Sequence, residues 1–71
     1  MTTSKVTTSN IEEGWIVSSR GKKYKLLEVE KEGKFAKKFS LIRLDENGEP
    51  VGTPEEMWAS ALQHYGFNKA N

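Results

Sequence analysis

Seventy-one residues leave room for one domain with a small core, because only 35% of them are hydrophobic. The absence of cysteine excludes a disulfide framework and a thiolate zinc site, and no apolar run approaches the roughly 20 residues that cross a bilayer. The net charge of +1 excludes a strongly basic or acidic chain, although the charge is unevenly spread.

Residues 1–10 are polar and rich in Thr and Ser, with only Val6 to bury and no hydrophobic signal region, so they are expected to form a disordered tail. A single domain is expected over 11–67, and a second short tail over 68–71. After the lead-in Ile11-Glu12-Glu13-Gly14, the β-branched and aromatic run Trp15-Ile16-Val17-Ser18-Ser19 predicts a strand. Arg20-Gly21 is a turn, with glycine free to take positive φ.

Residues 23–30 predict a second strand. Its alternation breaks at Leu26-Leu27, which signals either a bulge or burial on both faces. Lys31-Glu32-Gly33-Lys34 is the next turn, and a third strand lies within 35–44. Asn47-Gly48 predicts a hairpin with a type I′ turn. Glu49-Pro50-Val51 predicts a short fourth strand at a sheet edge, because Pro50 cannot donate to a ladder.

A helix is expected over 54–65. Thr53 is placed to cap it, Glu56 to complete a capping box, and Pro54 to occupy its first position. Gly66 then stops it, with Phe67 packing back on Leu62. Met57, Trp58, Ala61, Leu62 and Tyr65 fall on one helical arc, which is expected to face the core. Trp58 and Tyr65 could instead form a stacking pair, but core packing is the commoner use of such a stripe.

The elements add up to an α+β fold: a small antiparallel meander of three to four strands with one C-terminal helix. Apolar residues on both strand faces leave curling into an SH3-like barrel as the alternative. Ile16 or Trp15, Leu27, Val29, Leu41 and Leu44 are expected in the core.

Catalytic chemistry is not visible. His64 is the single histidine and has no cysteine or second histidine to share a metal with. Neighbouring pairs such as Glu12-Glu13 do not face one another in a helix, and no glycine-rich phosphate loop is present. No catalytic residue, metal or cofactor is therefore expected, and the chain is not expected to be an enzyme.

Charge is the feature above background. Between Arg20 and Arg43 the cations exceed the acids by six, whereas residues 44–71 carry a net −4. Arg20, Lys22, Lys23, Lys25, Lys37 and Lys38 are candidate polyanion-binding residues, with Tyr24 and Phe35 as candidate stacking residues. The bland alternative is a solvated sheet edge protected by lysines.

The β-β-β-α order, with Gly21-Lys22-Lys23-Tyr24 early and the phrase Thr53-Pro54-Glu55-Glu56 late, resembles the small three-stranded DNA-binding domains of integrases. That resemblance implies a sheet set in the major groove. Gly14-Trp15-Ile16-Val17 and Gly21-Lys22-Lys23-Tyr24 are also similar to phrases of SH3-like barrels. Neither likeness carries a diagnostic motif, so no residue role follows from it.

The reading is a cytoplasmic, non-enzymatic module that binds a protein partner as an adaptor or regulator, with no membrane association. The alternative is a nucleic-acid-binding module using the basic hairpin face. One continuous basic face would favour the second, and an exposed apolar patch the first.

Overall fold

The computed structural model describes residues 5–70. Its elements are β1 (Ile16–Ser19), β2 (Lys22–Glu32), β3 (Phe35–Leu44), β4 (Pro50–Trp58), α1 (Ala61–Tyr65) and β5 (Asn68–Lys69). The strands form one antiparallel sheet in the order β4-β3-β2-β1-β5. The expected meander with a C-terminal helix is thus present, with β5 added beside β1. β4 and β5 are the two edges, and the sheet is not closed into a barrel.

Side chains alternate across a strand, so register assigns the two faces. Val17, Leu26, Phe39 and Leu41 point inward and are buried, together with Val6, Ile11, Ala36, Ala59, Leu62 and Phe67. Phe67, 1% exposed, is the hub of this core. Its ring meets Tyr24 and Phe39 edge-on at 5.7 and 6.3 Å and stacks on Tyr65 at 5.5 Å.

The break at Leu26-Leu27 is a bulge. Leu26 pairs with Leu41 and Glu28 with Ser40, so Leu27 is the extra residue. Leu27 is exposed, contrary to the expectation that it joins the core. Leu41 is in the core as expected. Trp15 and Val29 pack partly against it, and Leu44 is buried but outside the core cluster.

The hairpin at Asn47-Gly48 exists, but not with a type I′ turn. Among the described residues in that turn only Gly48 has positive φ, and its N–H donates to the Asp45 carbonyl at 3.0 Å. The Asp45 carboxylate accepts from the N–H groups of Asn47 and Glu49 at 2.8 and 2.9 Å. Aspartate's competing side-chain acceptor therefore sets a four-residue turn with glycine in the left-handed position.

The largest correction concerns 53–60. These residues do not begin a helix: β4 runs to Trp58, pairing Met57 with Phe39 and Glu56 with Ser40. Thr53 caps nothing and the capping box does not form. Leu41 pairs with Glu55 and Arg43 with Val51, so Gly52-Thr53-Pro54 bulge opposite Ile42 alone. Gly52 takes φ 77° there.

The physical reason is non-local. A short helix gains little by itself in water. Residues 55–58 instead satisfy the ladder groups that β3 would otherwise leave unpaired at its edge. Pro50 and Pro54 are tolerated because β4 is an edge strand. The helix shrinks to Ala61–Tyr65, where Gly66 ends it at φ 63°, ψ 45°, donating to the Leu62 carbonyl.

The chain ends also differ from the tails expected. Residues 1–4 and 71 lie outside the described residues. Val6 is 2% exposed and donates its N–H to the Phe67 carbonyl at 3.0 Å, while Lys5 bridges to Asn68. The Asn10 side chain holds this segment in a loop through Thr7 N–H and the Lys5 carbonyl. Asn68 and Lys69 pair with Ser18 and Val17, and the Lys69 ammonium sits 4.4 Å from the Trp15 ring centre. Val6 and Ile11, both buried in the core, together with the Ala36 N–H donating to the Thr8 carbonyl at 2.8 Å, hold the N-terminal segment against the sheet, which composition alone undervalues.

Candidate binding cleft

The inward face of the sheet is not fully covered. Towards the start of β2 and the end of β3, away from the turn that joins them, it opens into a cleft of about 530 Å³. Alternation brings Lys22 and Tyr24 of β2 and Leu41 and Arg43 of β3 to this side. Val51, Glu55 and Met57 of β4 form one wall, with the Gly52-Thr53 bulge between them. Tyr65, the last residue of α1, and Phe67, just beyond it, form the other.

The two walls are fixed differently. The Ser19 hydroxyl donates to the Tyr65 carbonyl at 2.6 Å, which satisfies a carbonyl at the helix end and ties α1 to β1. Tyr65 then lies flat against Phe67 and remains 40% exposed. The β4 wall hangs on a ladder that the bulge interrupts.

Cations gather at the mouth. Lys22 and Arg43 line the cleft and also a neighbouring depression of about 490 Å³ with Gly21, Lys23, Leu44, Asp45 and Glu46. The Arg20 guanidinium lies 5.8 Å from the Tyr65 ring centre, within cation–π reach. Arg20 itself has φ 52°, set by the tight β1–β2 turn. Aromatic walls beside three cations can hold a flat or apolar group together with an anion.

The structure does not bring the six candidate cations together. Lys22 is on the cleft side with Arg20, whereas Lys23 and Lys25 project from the opposite face. Lys37 is the extra residue of a β3 bulge. Lys38 lies on the opposite face, 3.2 Å from Glu56 and 3.7 Å from Glu30. The Glu56 hydrogen bond, then the charges of Glu56 and Glu30, raise its pKa above the usual 10.5.

The aromatic candidates separate as well. Tyr24 is in the cleft, but Phe35, 57% exposed, sits at the β2–β3 turn and not beside it. Trp58, 62% exposed, and Tyr65 do not share a face as the helical arc required. Arg43, Val51 and Met57 are not among the candidate site residues, and Tyr65 is weighed there only as a stacking partner of Trp58. The signal for Arg43 was available: it keeps the phase of Leu41 along the strand.

Among the described residues no cluster of three or more His, Cys, Asp or Glu could hold a metal ion. No helix among them is long and apolar enough to cross a membrane. Compared with known protein families, curated proteins and solved structures, the chain has no match in any of the three.

Proposed function

We propose that this chain is a small non-catalytic binding module, an adaptor or regulator, whose cleft takes an extended acidic segment of a protein partner. The observation that carries the reading is the division of the cations. Lys22 and Arg43 line an aromatic cleft, while Lys23 and Lys25 face the other way and Lys38 is held by two glutamates. A nucleic acid neutralised along its backbone calls for a continuous row of such residues. A few cations beside Tyr24, Tyr65 and Val51 suit one or two carboxylates next to an apolar side chain. Glu55 on the β4 wall repels acid there, so the carboxylates belong at the Lys22–Arg43 end.

The test is fluorescence anisotropy with labelled peptides that combine Asp or Glu with Leu or Phe, against basic peptides and short oligonucleotides. The acidic–apolar peptide should bind. Arg43→Ala should weaken it about tenfold, the scale of one lost hydrogen bond to a charged group, and Lys25→Ala should not. Oligonucleotide binding that falls steeply with salt, with no peptide binding, would replace this reading with the nucleic-acid one.

A further inference from the structure

The face of the sheet away from the core is unlike the polar outer face that a half-buried antiparallel sheet usually shows. It carries the half-buried Ile42 on β3 and the exposed Trp58 on β4, with the exposed Phe35 at the hairpin end. Its charges are ordered. Along β2 the outward residues are Lys23 and Lys25 at one end and Glu28, Glu30 and Glu32 at the other. The Leu27 bulge creates this order, because unbroken alternation would send Lys23 and Glu28 to opposite faces. Among the described residues neither Lys23, Lys25 nor Glu28 has an ion-pair partner.

A strand that is cationic at one end and anionic at the other complements a reversed copy of itself. We propose that this outer face is the interface of a two-fold homodimer, distinct from the cleft. The axis lies between the two sheets, at right angles to the strands, so each strand faces its own copy running the other way. That arrangement is isologous, as a two-fold interface must be. Lys23 and Lys25 of one protomer come over Glu30 and Glu28 of its partner. With those pairings the axis crosses β2 and β3 at the level of the Leu26–Leu41 pair, next to the bulge. Trp58 comes over the partner's end of β4, placing the most exposed aromatic on the exposed ring of Pro50.

The size is adequate. A strand of eleven residues is about 35 Å long and five strands stand about 20 Å across, so the face offers on the order of 600 Å² in projection. Side-chain relief brings this to the scale of standard interfaces, about 800 Å² per partner. Twisted sheets stack face to face at about 30°, which keeps reversed strands in register over the central part of the face.

The experiment uses the full chain in analytical ultracentrifugation from micromolar to millimolar concentration. Wild type should pass from monomer to dimer. An acidic variant (Lys23→Glu with Lys25→Glu) and a basic variant (Glu28→Lys with Glu30→Lys) should each self-associate at least about tenfold more weakly, since each meets like charge across the axis. An equimolar mixture of the two should dimerise again, as a heterodimer. Arg43→Ala, in the cleft, should dimerise like wild type, which separates this result from the fate of the peptide-binding proposal. Circular dichroism on each variant confirms that it is folded, and a folded Trp58→Ala supplies a neutral variant that should also weaken the dimer. A wild type that stays monomeric at millimolar concentration overturns the proposal. So does a pair of charge variants that dimerise like wild type, or a mixture that fails to associate.

Discussion

The two halves of the stretch 53–67 carry equally good local helix signals, yet they fold differently. Residues 53–58 have Thr, Pro and two Glu in the order of a capped helix start, and they form an edge strand with a bulge. Residues 61–67 have a glycine stop and a following aromatic, and they form the helix end that those residues specify. The difference lies in what each half touches. The second half delivers Leu62 and Phe67 to the core, so local preference and burial agree there. The first half delivers little: Trp58 stays outside, and only Met57 packs partly inward. Its backbone is decided by the edge of β3, which needs partners.

The largest effect should come from removing the anchor of the second half. Phe67→Ala deletes a ring packed on Tyr24, Phe39 and Tyr65, and its cost should be about 3–5 kcal/mol. A domain of this size has roughly 4–10 kcal/mol in total. Chemical denaturation should therefore show a collapsed midpoint or no cooperative transition. A loss below about 1 kcal/mol would mean that Phe67 is not the hub.

Gly66→Val comes next. An added Cβ would meet nothing within 4 Å, so the cost is backbone strain alone at φ 63°. About 1–3 kcal/mol is expected. Gly66→Asn should recover most of it, because Asn tolerates the left-handed region. If Asn and Val are equally damaging, the strain account fails and side-chain bulk is responsible.

Thr53→Ala separates the two halves most directly. A helix cap at Thr53 would make the substitution cost about 1 kcal/mol. In the edge-strand bulge Thr53 is exposed and caps nothing, so the change should stay within about 0.5 kcal/mol. A denaturation midpoint lowered to the cap value would restore the longer helix.

These contrasts show what was legible. Turn positions were readable at Arg20-Gly21 and Asn47-Gly48, because positive φ and side-chain acceptors are local properties. The turn type at Asn47-Gly48 was not, since it depends on the Asp45 carboxylate taking two N–H groups. The bulge at Leu26-Leu27 was readable as broken alternation. Thr53-Pro54 reads as a helix start because proline suits the first position of a helix and an edge-strand bulge alike. Among the site residues, Lys22 and Tyr24 could be chosen by type, but their faces depend on phase. Neighbours such as Lys22 and Lys23 necessarily part. The burial of Val6 depends on Phe67, sixty-one positions later, and leaves no mark near residue 6.

The smallest effect is carried by Lys38, and it probes the same divide. As a strand residue, Glu56 pairs with Ser40 and its carboxylate reaches the Lys38 ammonium at 3.2 Å. As a capping residue, Glu56 would turn back to Thr53 instead. The raised Lys38 pKa is thus a reporter of β4, caused first by the Glu56 hydrogen bond and then by the charges of Glu56 and Glu30. The pair is exposed, so its effect on folding is screened and small. Its sign is still defined. A pKa raised on folding gives a stabilisation that is fully present below the unfolded lysine value near 10.5 and is lost as pH rises through the folded pKa. The stability difference between wild type and Glu56→Gln should therefore close over that alkaline range. In an NMR titration of the lysine side chains, Lys38 should titrate above 10.5 in wild type and move down towards it in Glu56→Gln, with the remaining upward influence coming from Glu30. A Lys38 titration that ignores Glu56→Gln would mean that Glu56 does not lie across β3, and the pairing of β4 at its far end would have to be redrawn.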